Sequence, residues 1–105
     1  MRSEADQRAV DAFREYGATG GKNKDKKAAS AVKQTFDYFR INGDDMAIKL
    51  VEGVYCSLPM GKVKRGLVYH AVLSLKTSLY TSEREIYRKL KRAREIFNKC
   101  YDEIL

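Results

Sequence analysis

One proline (Pro59), one histidine (His70) and two cysteines (Cys56 and Cys100) leave little material for several kinds of protein. The cysteines fall in no metal-binding spacing, and one histidine cannot complete a zinc site from recognisable parts. Reduced, packed thiols are expected, with no metal and no cofactor. No carboxylate pair, Cys/His arrangement or glycine-rich catalytic turn stands in a context that supports catalysis, so the chain reads as a non-enzyme. Gly17-Ala18-Thr19-Gly20-Gly21-Lys22 lacks the spacing, the Ser/Thr after Lys and the preceding strand of a phosphate-binding loop. No window approaches the ~18 apolar residues of a membrane span, and the first residues lead into a polar stretch without the apolar stretch of a secretion signal. A cytoplasmic protein without a membrane partner is expected. No internal repeat is evident.

What the chain does hold is helix-forming material. Apolar residues make up 44% and charged residues 33% of 105 residues, enough for one folded core and too little for two. Ala, Lys, Arg, Glu and Leu fill the stretches between the few breakers. The predicted fold is all-α, a compact helical domain of about five helices.

The spacing of apolar residues predicts a first helix over Ser3 to Tyr16, with Ala5, Ala9, Ala12, Phe13 and Tyr16 on one side. Gly17 to Gly21 and the charged run Lys22 to Lys27 then read as a loop or flexible arm. Residues 1–27 are thus an N-terminal helix with a basic flexible linker, and 28–105 the helical domain. A second helix is expected from about Ala28 to Ile41, burying Ala29, Val32, Phe36, Phe39 and Tyr38, and closed by Asn42-Gly43. Asp44 is placed to cap a third, whose Met46, Ala47, Leu50, Val51, Val54 and Tyr55 form a broad apolar face. A fourth helix is expected at about Leu67 to Ser78, and a fifth from Ser82, running as far as Ile104. The motif Ser82-Glu83-Arg84-Glu85 is a capping box, in which the Ser82 hydroxyl and the Glu85 carboxylate each satisfy a first-turn backbone N–H. Only Tyr80-Thr81 and the helix ends remain for the connection, so a helix-turn-helix spans about 67–98.

The net charge of +7 is unevenly distributed. Met60 to Tyr101 holds eleven Lys/Arg against three Glu, whereas the remainder is close to neutral. Such a local excess is the footprint of a surface for a polyanion. Projection of the fifth helix at 100° per residue puts Ile86, Leu90, Ala93, Phe97, Cys100 and Ile104 in one stripe, with Arg84, Arg88 and Lys91 opposite. In a helix-turn-helix on DNA the second helix enters the major groove and its N-terminal residues lie nearest the bases. Arg84 and Arg88 occupy those places, where an arginine fork can bond O6 and N7 of guanine, and Glu83 can accept from a cytosine amino group. Ser82, Tyr87, Lys91 and Arg92 suit phosphates, as do Lys62, Lys64 and Arg65 at the entry to the fourth helix. The fifth helix ends with more apolar surface than reading DNA requires (Ile96, Phe97, Cys100, Tyr101, Ile104). Either helices one to three cover it, or a second copy does in a two-fold dimer.

The stretch LKTSLYTSEREIYRKLKRAREIF, Leu75 to Phe97, resembles the helix-turn-helix of sigma-factor region 4 and of related small phage and mobile-element regulators. AIKLVEGVY, Ala47 to Tyr55, with a helix-turn-helix after it, resembles the ArpU/RinA-type layout of those regulators. The resemblance covers about the last sixty residues. It implies a transcription regulator that binds double-stranded DNA in a sequence-specific way, with RNA polymerase as a further partner class and Glu83, Arg84, Tyr87 and Arg88 as base readers. The sequence departs from the motif at Tyr80, a turn position often held by glycine, and at Lys76, where a small residue commonly lets the helices approach. The alternative function is an interaction or assembly module, such as a phage packaging adaptor that carries a helix-turn-helix.

Overall fold

Among the described residues, four of the five α-helices start at a short polar side chain that takes up a backbone N–H otherwise left without a partner. A computed structural model describes residues 3–59 and 66–104, which form five α-helices and, among the described residues, no strand. Helix α1, Glu4–Thr19, begins where the Ser3 hydroxyl accepts from the Asp6 N–H at 3.1 Å, and ends on Gly20 at φ 65°. It runs three residues beyond the expected Tyr16, straight through Gly17. That glycine marks a close approach and not a break, because a Cβ on it would lie 2.1 Å from the Cys56 carbonyl oxygen.

Of the expected loop or flexible arm, the structure shows a short loop tied to α1. Thr19 Oγ1 accepts from the Lys22 N–H at 2.9 Å, and the Glu15 carboxylate accepts from the Lys24 N–H at 2.9 Å. Asn23 is buried and donates from Nδ2 to the Ala12 carbonyl at 3.0 Å. Helix α2, Lys26–Ile41, starts two residues earlier than the periodicity predicts, because Asp25 accepts from the Lys27 N–H and caps it.

Asp44 caps α3, Asp45–Val51, by accepting from the Ala47 N–H at 3.1 Å, as its position predicts. The helix then widens into a π-turn at Glu52–Cys56, a change that apolar spacing alone does not signal. Helix α4 spans Leu67–Ser78, and α5 spans Glu83–Glu103 with Ser82 as its cap. These two agree with the sequence reading to within a residue.

Phe13 is the hub of the core. Its ring lies 6.0 Å from Tyr55, 6.2 Å from Phe36 and 5.5 Å from Phe97, joining α1 to the π-turn, α2 and α5. Full burial of such a ring contributes about 2–3 kcal/mol relative to exposure. Helix α5 packs against all four other helices and buries Ile86, Leu90, Ala93, Ile96 and Phe97. Two expected core positions lie outside: Ala5 and Tyr38 are exposed, whereas Val10 of α1 is buried.

The apolar end of α5 is covered within the chain. Tyr101 sits between two cations, Arg8 at 4.3 Å and Lys27 at 4.4 Å from its ring centre, and donates its hydroxyl to Asp25 at 2.8 Å. Cys100 and Ile104 pack half-buried beside it. Cover by a second copy is not required by these residues.

Candidate nucleic-acid interface

The fifth helix begins with a single-sided cap. Ser82 Oγ accepts from the Glu85 N–H at 3.1 Å, but the Glu85 carboxylate turns outward and takes the Arg88 guanidinium, Nε at 2.9 Å with Nη2 on the second oxygen. The reciprocal half of the expected capping box is replaced by this fork. An ion pair with two parallel bonds outcompetes one backbone N–H for a carboxylate. The pair holds the Glu85 carboxyl below its ordinary value and raises Arg88.

Three outward cations line the first half of α5. Arg84, Arg88 and Lys91 are exposed on the side opposite the buried stripe, and Arg92 is exposed beside them. Arg84 makes no ion pair or hydrogen bond among the described residues, whereas Arg92 reaches α2 and donates to the Tyr38 hydroxyl at 3.2 Å, its guanidinium 5.8 Å from that ring. Tyr38 therefore borders the basic face. Its neighbours Asn42 and Asp44, with Phe39, Arg88, Lys89 and Arg92, enclose a shallow cavity of about 370 Å³ on this side.

Two cations of the basic segment turn inward. Lys89, with only 19% of its side chain exposed, donates to both oxygens of Asp44 at 2.9 and 3.0 Å. Burial raises the Asp44 carboxyl, but the bonds from Lys89 and the Ala47 N–H outweigh it, and the group ends below the ordinary value. Arg94, 17% exposed, donates to the Tyr55 hydroxyl at 2.6 Å and to Asp6 at 3.3 Å. The charge excess counted along the sequence is thus larger than the excess on the surface.

Of the remaining residues singled out from the sequence, Glu83 lies 3.7 Å from Lys76 Nζ, across the connection between α4 and α5. Lys76 is accommodated because it stays at the surface and pairs with Glu83. Tyr87 is partly exposed on the flank of α5, with burial first and then the charges of Glu83 and Tyr69 raising its hydroxyl. Lys62, Lys64 and Arg65 lie outside the described residues. Arg84 and Arg88 share one face, Glu83 and Tyr87 its edge. The sequence gives no local sign of Asp44, Asp6 or Tyr38 as partners of α5, since each contact joins residues more than forty positions apart.

Among the described residues no helix is long and apolar enough to cross a membrane, and no group of three His, Cys, Asp or Glu is placed to hold a metal. Cys56 lies half-buried beside Glu52, and burial first and that charge second push its thiol up to about 12, which makes it a packing residue and a poor nucleophile. Compared with protein families, with curated proteins and with solved structures, the chain matches none.

Proposed function

We propose that this protein is a sequence-specific, double-stranded-DNA-binding transcription regulator, of the small phage and mobile-element type that its sequence resembles, with the N-terminal half of α5 as its reading element. The observation that carries this reading is the placement of Arg84, Arg88 and Lys91 on one outward face of α5, with Ile86, Leu90 and Ala93 fixed in the core behind them. Arg84 and Arg88 are one turn apart, about 6 Å along the axis, or about two base-pair steps of a duplex. Arginine forks at that spacing can address two nearby guanines in the major groove, Arg88 by exchanging the Glu85 carboxylate for the base edge, while Lys91 and Arg92 meet phosphates farther along. Lys62, Lys64 and Arg65 are assigned to the duplex backbone and Glu83 to a cytosine amino group. RNA polymerase is the protein partner that such a regulator would address.

The test is binding of labelled duplexes across a salt series, using fragments selected from genomic DNA and a scrambled control. Two phosphates neutralised by Lys91 and Arg92 give a log–log slope of about −1.8, steeper with Lys62, Lys64 and Arg65 engaged. A flat response removes the electrostatic basis of the reading. On the selected site Arg88→Ala is expected to weaken binding about tenfold or more and to relax the preference at one base pair. Lys91→Ala is expected to weaken selected and scrambled duplexes alike. Equal losses from both substitutions on both duplexes would leave α5 as a cationic anchor with no reading role.

A further inference from the structure

Tyr80 holds the only positive φ of a non-glycine residue among the described residues, +52°, and its side chain is 97% exposed. The backbone there has a local cause. The Thr81 N–H bonds the Lys76 carbonyl at 3.2 Å and the Tyr80 N–H the Thr77 carbonyl at 3.4 Å, the paired closure of a helix end that requires a left-handed residue between them. At the ends of α1 and α2 this chain meets the same need with glycine, at Gly20 and Gly43. At Tyr80 it holds a bulky aromatic in a conformation that L side chains adopt at a cost. The ring makes no aromatic or cation contact and the hydroxyl no hydrogen bond among the described residues, so none of these offsets that strain. Such outliers concentrate where a side chain is needed by something outside the fold.

We infer that Tyr80 is a DNA-contact residue, which lays its ring against the sugar-phosphate backbone at the edge of the groove entered by α5 and donates its hydroxyl to a phosphate oxygen. The position fits that role. Tyr80 stands two residues before Ser82, the cap of α5, and four before Arg84, so it projects from the same end of the helix as the proposed base readers. Its aromatic body and polar tip match a sugar beside a phosphate. The inference rests on the DNA-binding reading above and adds to it a residue that carries no charge.

Tyr80→Gly and Tyr80→Phe separate the two halves of the argument, measured as melting temperature and as duplex affinity beside the wild-type chain. Tyr80→Gly relieves the strain and is expected to raise the melting temperature by a few degrees, about 4–8 °C at most, while weakening duplex binding about tenfold. Tyr80→Phe keeps the melting temperature and loses about threefold to fivefold in affinity, the share of the hydroxyl. A more stable Tyr80→Gly variant that binds as tightly as wild type overturns the inference and leaves the reading of α5 intact. A lower melting temperature for Tyr80→Gly overturns it too, since the side chain would then serve the fold. Wild-type protein that binds no duplex even at low salt overturns the function and this inference together.

Discussion

Gly17→Ala sets two opposing effects against each other in one methyl group. Within a free helix, alanine is favoured over glycine by up to about 1 kcal/mol, because glycine loses more backbone freedom on folding. Here the added Cβ would lie 2.1 Å from the Cys56 carbonyl oxygen and 2.7 Å from both its carbonyl carbon and its Cβ. An ordinary carbon–oxygen contact is about 3.3 Å, so α1 and the π-turn must separate by about 1 Å. The obstructing atoms are backbone, and no rotamer change relieves them. Overpacking of this kind costs about 1–3 kcal/mol, and a rigid backbone obstacle belongs at the upper end. The net expectation is a loss of about 2 kcal/mol, or a melting temperature lower by roughly 8–16 °C, read from the helical circular dichroism signal on heating. Ala18→Gly, one residue along on an exposed position of the same helix, gives the propensity scale without the contact and is expected to lose up to about 1 kcal/mol. A Gly17→Ala variant that melts at or above the wild-type temperature would refute the close approach of α1 to the π-turn.

Asp44→Asn keeps a good helix cap but loses the ion pair to Lys89. Since the folded Asp44 carboxyl lies below its unfolded value, its stabilisation is present above about pH 3.9 and is lost as pH falls through the folded value. The variant should therefore melt lower than wild type at pH 7, with the gap closing below pH 3.9; a gap that stays constant down to pH 2.5 would contradict this. Glu85→Gln breaks the fork that occupies Arg88 and takes a carboxylate off the proposed DNA face, while the Ser82 cap bond to the backbone of residue 85 persists. Scrambled duplex should bind severalfold tighter in a titration, and unchanged binding would place Arg88 away from the DNA.

Elements defined by neighbouring residues were legible in the sequence, and those defined by distant partners were not. Ser82 and Asp44 announce their helices because a cap acts within three residues. The span of α4 follows from Val68, Ala71, Val72 and Leu75, whose spacing is local. Gly17 reads as a breaker in sequence because its reason for being glycine lies on Cys56, thirty-nine residues away. Gly53, inside the π-turn, is likewise answered by a distant partner, since a Cβ on it would meet the Leu75 side chain at 2.9 Å. On the proposed interface, periodicity places Arg84, Arg88 and Lys91 outward. It puts Lys89 and Arg94 at the margins of the stripe but gives no sign that they are paired, since Asp44 and Asp6 lie far away along the chain.

Those two inward cations determine how α5 presents the others. An apolar stripe by itself tolerates a modest rotation of a helix about its axis, because one aliphatic contact replaces another at little cost. Lys89 and Arg94 are five residues apart, about 140° around the helix, and they flank the stripe that contains Ile86, Leu90 and Ala93. Asp44 holds Lys89 at one margin, while Asp6 and the Tyr55 hydroxyl hold Arg94 at the other. A rotation in either direction stretches one of the two tethers, and each is directional and half-buried, where a lost partner costs more than at the surface. The face that remains outward is the one carrying Arg84, Arg88 and Lys91. Cations that would otherwise add to a polyanion surface are spent inside the fold on aiming the cations that stay outside, an arrangement suited to reading a sequence, which depends on angle, more than to holding a charged polymer, which depends on count.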